Sequence, residues 1–297
     1  MLLSYYIILI QLSINNFKRG KKMKKFGLTG YPLGHSMSPV IHKELFKLNN
    51  IDASYELREA TPDELKTGLD KFNDLEGFNV TIPHKIGVIS HLDKLSDRAA
   101  LFGAVNTVEK SDGALIGHNT DCIGFLKALE MADISLQGKV LVCGCGGVSR
   151  MFAFETVLAG ADLTIAVRDA DIEAGTQLKK EIKEKLDKNV NLITLEEVDG
   201  EYDVLINGTP VGMHPNADAC PLPKEKVQKA KAVFDAIYNP METLLIKYAK
   251  EANIKYSNGL PMLVWQAAIA QEIWFGVKFT MEQVKNVLTI TEKELNK

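Results

Sequence analysis

Short apolar runs alternate with amphipathic stretches along the whole chain, and two periodicities separate them. "KKFGLTGY" (24–31), "ASYELREA" (53–60) and "GFNVTIP" (77–83) read as strands. "SPVIHKELFKLNN" (38–50) reads as a helix, with Ser38 as N-cap and Pro39 at the first helical position. "TPDELKTGLDKF" (61–72) predicts a helix opened by a capping box, Thr61 with Glu64, and a proline in its first turn. "HKIGVISHLDKL" (84–95) is helical in pattern. The stretch 103–121 predicts a hairpin turned at Ser111–Asp112–Gly113. A helix near 120–132 joins this first unit to a second.

From residue 139 the apolar runs lengthen. "GKVLVCG" (138–144), "DLTIAV" (162–167), "YDVLING" (202–208) and "AVFDAIYN" (232–239) read as buried strands. Helical patterns "VSRMFAFETVLAGA" (148–161), "DIEAGTQLKKEIKEKL" (171–186) and "TLLIKYAKEAN" (243–253) lie between or after them. Two more helices close the chain, "MLVWQAAIAQEIWFG" (262–276) and "TMEQVKNVLTITEKEL" (280–295), the second with a Thr280/Gln283 capping box. Strands alternating with helices predict an α/β protein with mostly parallel sheets. The expected architecture is two-domain: an N-terminal α/β unit (23–122), a Rossmann-like α/β unit (123–258), and C-terminal helices (259–297) packing back on the first, with a cleft between the domains. Residues 1–22 read as an extension outside the fold. Their apolar stretch is too short to span a bilayer, and its basic residues follow it, where a signal peptide has them in front.

Composition narrows the function. The chain has 297 residues, 46% hydrophobic and 25% charged, with a net charge of −3. That slight acidity argues against a nucleic-acid partner, and no apolar run suits a membrane. Four cysteines in so long a chain make no disulfide framework and point to a reducing cytoplasm. The histidines show no HxH or HExxH spacing, so no metal is expected. His35, His84 and His118 sit inside motifs, and His42, His91 and His214 are scattered.

Two constellations carry chemistry. "VLVCGCGGVSR" (140–150) places Gly144, Gly146 and Gly147 between a strand and a helix, with Ser149 at the third glycine position. Such a loop lets backbone N–H groups and a helix N-terminus meet a diphosphate. Some 20 residues on, at the end of the next strand, stand Arg168 and Asp169. An arginine there suits the 2′-phosphate of NADP and an acid suits the bare ribose of NAD. Arg168 leans the reading toward NADP, and Asp169 keeps NAD open. In the first unit Asn79, Thr81, Lys85, Asn106, Asn119, Thr120 and Asp121 recur at strand ends and turns, where α/β proteins place ligands. Amides, hydroxyls, one amine and one carboxylate suit a small substrate rich in hydroxyls. Taken singly, each has an ordinary role in a turn or on a solvated face.

The motifs "GYPLGHSMSP", "NVTIPHK", "GAVNT", "GHNTDCIG", "GCGGVSR", "INGTPVGM", "DAIYNP" and "NGLPMLVWQAA", in this order from about residue 24 to the C-terminus, resemble the shikimate dehydrogenase family. The resemblance implies reversible reduction of 3-dehydroshikimate to shikimate with NADP. It implies Lys85 and Asp121 as the catalytic pair. Ser36 and Ser38 would hold the substrate carboxylate, while Asn79, Thr81, Asn106 and Gln266 would take ring hydroxyls with help from Tyr238. It places Gly144, Cys145, Gly146, Gly147, Val148, Ser149, Arg168, Asp169, Thr209, Gly259 and Met262 along the cofactor, Met262 beside the nicotinamide. The chain departs from the family at Val167-Arg168-Asp169, where Asn-Arg-Thr is usual, at Ile172, where a second arginine is usual, and at Pro261. Relatives that oxidise quinate with NAD share most of these motifs, and a sensor that binds nucleotide or shikimate without catalysis would keep the pocket but has no need of the Lys85/Asp121 pair. The partner expected is a small molecule, with the protein a monomer or homodimer.

Overall fold

The computed structural model describes residues 23–34 and 36–297. The expectations for residues 1–22 and for His35 lie outside the described residues. Two six-stranded sheets form the framework. The first contains β1 (Lys24–Thr29), β2 (Ala53–Leu57), β3 (Gly77–Val80), β4 (Lys94–Leu95), β5 (Thr107–Ser111) and β6 (Ala114–His118), in the order β2-β1-β3-β5-β6-β4. Pairs β1/β2, β1/β3 and β4/β6 are parallel, and β3/β5 and β5/β6 are antiparallel. The second contains β7 (Lys139–Cys143), β8 (Asp162–Val167), β9 (Asn191–Thr194), β10 (Tyr202–Asn207), β11 (Ala230–Asp235) and β12 (Lys255–Ser257). It is wholly parallel, in the order β12-β11-β10-β7-β8-β9. This is the doubly wound order, reversing direction between β7 and β10, where such sheets open a crevice for a ligand.

The helices are α1 (Ser38–Leu48), α2 (Pro62–Thr67), α3 (His84–Gly87), α4 (Asp97–Phe102), α5 (Asp121–Met131), α6 (Gly147–Leu158), α7 (Ile172–Leu186), α8 (Lys224–Val227), α9 (Leu244–Glu251), α10 (Leu260–Phe275) and α11 (Met281–Leu295). Helix α7 shows why the pattern was readable: Gly175, Leu178 and Ile182 form its buried stripe, and Lys180–Glu184 and Lys183–Asp187 pair on its wet face. The hairpin turns at Asp112 and Gly113, both with positive φ, as a two-residue Asp-Gly turn requires.

Several expectations need correction. The 61–72 helix keeps its capping box but stops at Thr67, because Gly68 takes φ 134°, and a 3₁₀ turn follows over Asp70–Phe72. The 84–95 pattern is one helical turn, a 3₁₀ turn (Val88–His91) and strand β4. Its apolar residues serve two surfaces: Val88 is in the core while Ile86 is 71% exposed. Ser38 is not an N-cap. Met37 occupies that position, and the Ser36 hydroxyl accepts from the Ser38 N–H at 3.2 Å. Helices α4 and α8 and edge strands β4, β9 and β12 are too short for their periodicity to stand out.

The tail packs on the first unit. The Trp274 indole donates to the Val108 carbonyl at 3.0 Å and stacks on Phe26, and Gln271 donates to His42 of α1 at 3.1 Å. Helix α5 joins the units through Phe125, whose ring lies 4.4 Å from that of Phe152 (α6) and 5.0 Å from that of Phe234 (β11). Each such ring, fully buried, contributes about 1.5–3 kcal/mol.

Two buried titratable groups make stability depend on pH in opposite senses. Burial holds His42 down to about 3, against 6.5 unfolded, so its contribution is lost as pH falls below 6.5. Burial pushes Asp235 up to about 6, against 3.8 unfolded, so its contribution is lost as pH rises from 3.8 through 6. Between about pH 6 and 4 the two offset. Substituting His42→Gln removes one of them. The variant should gain on the wild type by about 1.4 kcal/mol per pH unit as pH falls across that window, read by urea unfolding. Parallel stability curves would refute the assignment.

Candidate active site

The site is built where strands of the first sheet end. Lys85 lies in α3, and its carbonyl accepts from the Val105 N–H at 2.8 Å, tying α3 to the segment before β5. Asp121 is the first residue of α5, where a carboxylate meets the positive end of the helix dipole. The turn before it is held by Asn106, whose Oδ1 accepts from the Thr120 N–H at 2.7 Å. Lys85 Nζ then meets Asp121 Oδ2 at 2.6 Å, a charge-assisted bond between half-buried partners.

Helix α10 supplies the opposite wall. Gly124 of α5 lets it come close: a Cβ there would stand 2.7 Å from the Met262 carbonyl and 3.0 Å from the Gln266 nitrogen. Gln266 consequently reaches Asn106, with Nδ2 to Oε1 at 3.5 Å, and donates from Nε2 to the Leu263 carbonyl at 2.9 Å. Behind them Thr107 and Thr120 share a hydroxyl–hydroxyl bond of 3.1 Å.

A single cavity of about 370 Å³ collects these groups. Ser36, Ser38, Asn79, Thr81, Lys85, Asn106, Asp121, Tyr238 and Gln266 all line it, nine residues spread from position 36 to position 266. Burial raises the pKa of the Tyr238 phenol, so it stays a neutral donor and acceptor. Leu28, Tyr31, Pro32, Leu33, Val80, Ile82 and Leu263 complete the lining and were not among the expected site residues, since apolar positions within strands and motifs carry no signal of their own. Because Met37 is the N-cap, the Ser38 hydroxyl has no capping bond to give up before meeting a ligand.

The glycine loop lies where expected, between β7 and α6. Gly144 is demanded by the fold: its φ is 101°, and a Cβ would come within 2.8 Å of Ser149 Oγ and 2.9 Å of Thr209 Cγ2. Gly146 and Gly147 are not. Gly146 has φ −70°, open to any residue, and a Cβ at either position would meet nothing within 4 Å. Glycine there leaves room for something outside the chain. Helix α6 also begins without a side-chain cap, so its first N–H groups remain as donors for an anion. A dinucleotide diphosphate fits this cradle.

The other expected cofactor residues are placed unevenly. Val148 and Thr209 are half-buried near the loop, and the Thr209 hydroxyl donates to Asn207 Oδ1 at 2.7 Å. Cys145 is half-buried, with Sγ 3.9 Å from the Asp171 carbonyl. Ser149 is fully buried and donates to the Gly208 carbonyl at 2.9 Å, so its hydroxyl ties α6 to the loop after β10. Arg168 is exposed, and its Nε donates to Asp171 at 2.7 Å; the acid it meets is Asp171, not Asp169. Gly259 lies against the Ala236 carbonyl. Met262 is buried in the apolar cluster that contains Phe125 and Phe152, outside the cavity lining.

A parallel sheet with a glycine loop, joined to a mixed sheet whose strand ends hold a polar cavity and an amine–carboxylate pair, defines a dinucleotide-dependent dehydrogenase. The family model described as the shikimate dehydrogenase substrate binding domain matches residues 28–108. A shikimate dehydrogenase (NADP(+)) of Methanocaldococcus jannaschii is 42% identical over 276 residues, 90% of this chain and 96% of the relative. Another, of Caldanaerobacter subterraneus, is 39% identical over 88% of this chain and 95% of its own. The crystal structure of the Thermus thermophilus shikimate 5-dehydrogenase with NADP(H) and shikimate superposes with a TM-score of 0.81 at 33% identity, over 91% of this chain and 100% of that one. The chain belongs to the shikimate dehydrogenase family. No helix among the described residues is long and apolar enough to cross a membrane.

Proposed function

We propose that this protein catalyses the reversible, NADP-dependent reduction of 3-dehydroshikimate to shikimate, a step of aromatic amino-acid biosynthesis. The carrying observation is that one cavity gathers all nine expected substrate and catalytic residues, with Lys85 and Asp121 in contact. Residues 23–122 with the tail 259–297 make the substrate domain and 123–258 the cofactor domain. NADPH bound in the cradle would supply the hydride that reduces the substrate ketone. Lys85 gives a proton to the oxygen left behind, and in the oxidation direction takes it back. Asp121 orients the Lys85 amine. Ser36 and Ser38 hold the substrate carboxylate with hydroxyl donors near the start of α1. Asn79, Thr81, Asn106 and Gln266 hold the ring hydroxyls, with Tyr238 beside them. The N–H groups at Gly146 and Gly147 hold the diphosphate, and Arg168, braced by Asp171, holds the 2′-phosphate. Free thiols at Cys122, Cys143, Cys145 and Cys220 accord with a reducing cytoplasm.

The test is spectrophotometric. NADPH absorbance should fall on adding 3-dehydroshikimate, faster than with NADH, and NADP reduction should be faster with shikimate than with quinate. A protein that binds these ligands without turnover would be a sensor and would end the reading.

A further inference from the structure

Asn79 stands at the end of β3, 4% exposed, with one side on the cavity and the rest of its amide engaged by the protein. Its Nδ2 donates to the Asn106 carbonyl at 3.2 Å and to the Thr107 hydroxyl at 2.9 Å. A main-chain carbonyl only accepts, so the amide nitrogen must face it and Oδ1 must point the other way. Tyr55 donates its phenol proton to that Oδ1 at 2.7 Å. Both donor positions and one of the two lone pairs are thereby used. With its amide nitrogen engaged, what Asn79 can offer the cavity is acceptor character at Oδ1 and no donor.

Tyr55, on β2, does not line the cavity and is itself braced. The His42 ring stacks on it at 3.9 Å with the planes 8° apart. Gln271 of α10 donates to His42 Nδ1 at 3.1 Å and to the His42 carbonyl at 3.0 Å. A bond from Gln271 into Nδ1 requires that nitrogen to be unprotonated, so the imidazole is neutral. The chain of contacts runs from α10 through α1 and β2 to one amide of the cavity wall.

We propose that Tyr55 is a positioning residue that holds Asn79 as a hydrogen-bond acceptor, so that this point of the wall takes a substrate hydroxyl and rejects a carbonyl oxygen. The proposal rests on the reading of the cavity as the shikimate site. For a ring carrying hydroxyls and one ketone, Asn79 excludes the ketone from its own position. The ammonium of Lys85, which has only donors, accepts it. Tyr55 thus helps decide which carbon of the ring faces the amine. A site built to pair with a hydroxyl discriminates strongly against an analogue lacking it, because the wall group is then left unpaired.

The experiment measures kcat/KM for shikimate and for its 4-deoxy and 5-deoxy analogues, with wild type, Tyr55→Phe and Asn79→Ala, alongside thermal melts. Wild type inactive on shikimate would overturn the functional reading itself, before any variant is compared. With wild type active, removing one of the two hydroxyls should carry a large penalty that Asn79→Ala abolishes. In Tyr55→Phe, kcat/KM for shikimate should fall about tenfold, chiefly through KM, and that same penalty should shrink about tenfold, while the penalty for the other hydroxyl is unchanged. A merely structural Tyr55 would lower all three substrates by one factor, and that result, or no change, overturns the proposal. Should Tyr55→Phe not fold, Asn79→Ala still decides: if neither deoxy penalty moves, no hydroxyl sits on Asn79 and the proposal fails.

Discussion

Replacing Lys85 by alanine should lower kcat by about 10²–10⁴-fold while KM for shikimate stays within a few-fold of wild type. The amine lies 2.6 Å from Asp121 and in the wall of the cavity, but many other polar groups of that wall are left to bind the substrate. Ground-state binding is therefore spread over hydroxyls and amides, whereas proton transfer falls to one group. An interaction made only in the transition state lowers kcat and kcat/KM together, which is the pattern expected. Lys85→Arg should not rescue activity. A guanidinium keeps its charge but is not deprotonated at accessible pH, so it cannot take the proton in the oxidation direction. Steady-state rates in both directions, with shikimate affinity read separately by calorimetry, check this. Turnover unchanged in Lys85→Ala would remove the amine from the mechanism.

The fold was legible wherever burial imposed a period. The central strands of the second sheet, β7, β8, β10 and β11, are mostly buried and read as apolar runs, and α7 and α11 show clean stripes. It failed where elements are a turn or two long, as in α3, α4 and β4, since a period needs several repeats to appear. The cavity was legible as a set of residues, because motif resemblance names positions without knowing distances. The contacts that give those positions their chemistry were not. Nothing in "ASYEL" says that the Tyr55 phenol reaches Asn79, 24 residues on, nor that Thr107 and Thr120 join behind Asn106. Ser38 shows the converse error. Its place before Pro39 reads as an N-cap, yet the chain enters α1 one residue earlier, and the cap-like acceptor is Ser36. Arg168 reads as balanced against its neighbour Asp169, but a 3₁₀ turn brings Asp171 to its guanidinium instead.

Gly146→Asp should make the protein more stable and all but abolish cofactor binding, and the two effects share one cause. Gly146 is the N-cap of α6, in extended backbone with no side chain to cap the first N–H groups. Aspartate is among the best N-caps, and a carboxylate beside the positive end of a helix gains about 0.3–1 kcal/mol. A Cβ at this position meets nothing within 4 Å, so the gain is not offset by a clash. The added carboxylate takes the same N–H donors that the diphosphate needs and sets a like charge against it. At about 4 Å and an effective dielectric near 20, that repulsion is about 4 kcal/mol, enough for a more than 100-fold rise in Kd for NADP. Gly144→Ala serves as the contrast. There φ is 101° and a Cβ would press on Ser149 and Thr209, so stability should fall by about 1–3 kcal/mol. Thermal melts without ligand and a fluorescence titration with NADPH separate the two residues. If Gly146→Asp raised the melting temperature while NADPH bound as in wild type, the turn would be an ordinary helix start, and the diphosphate would have to lie elsewhere.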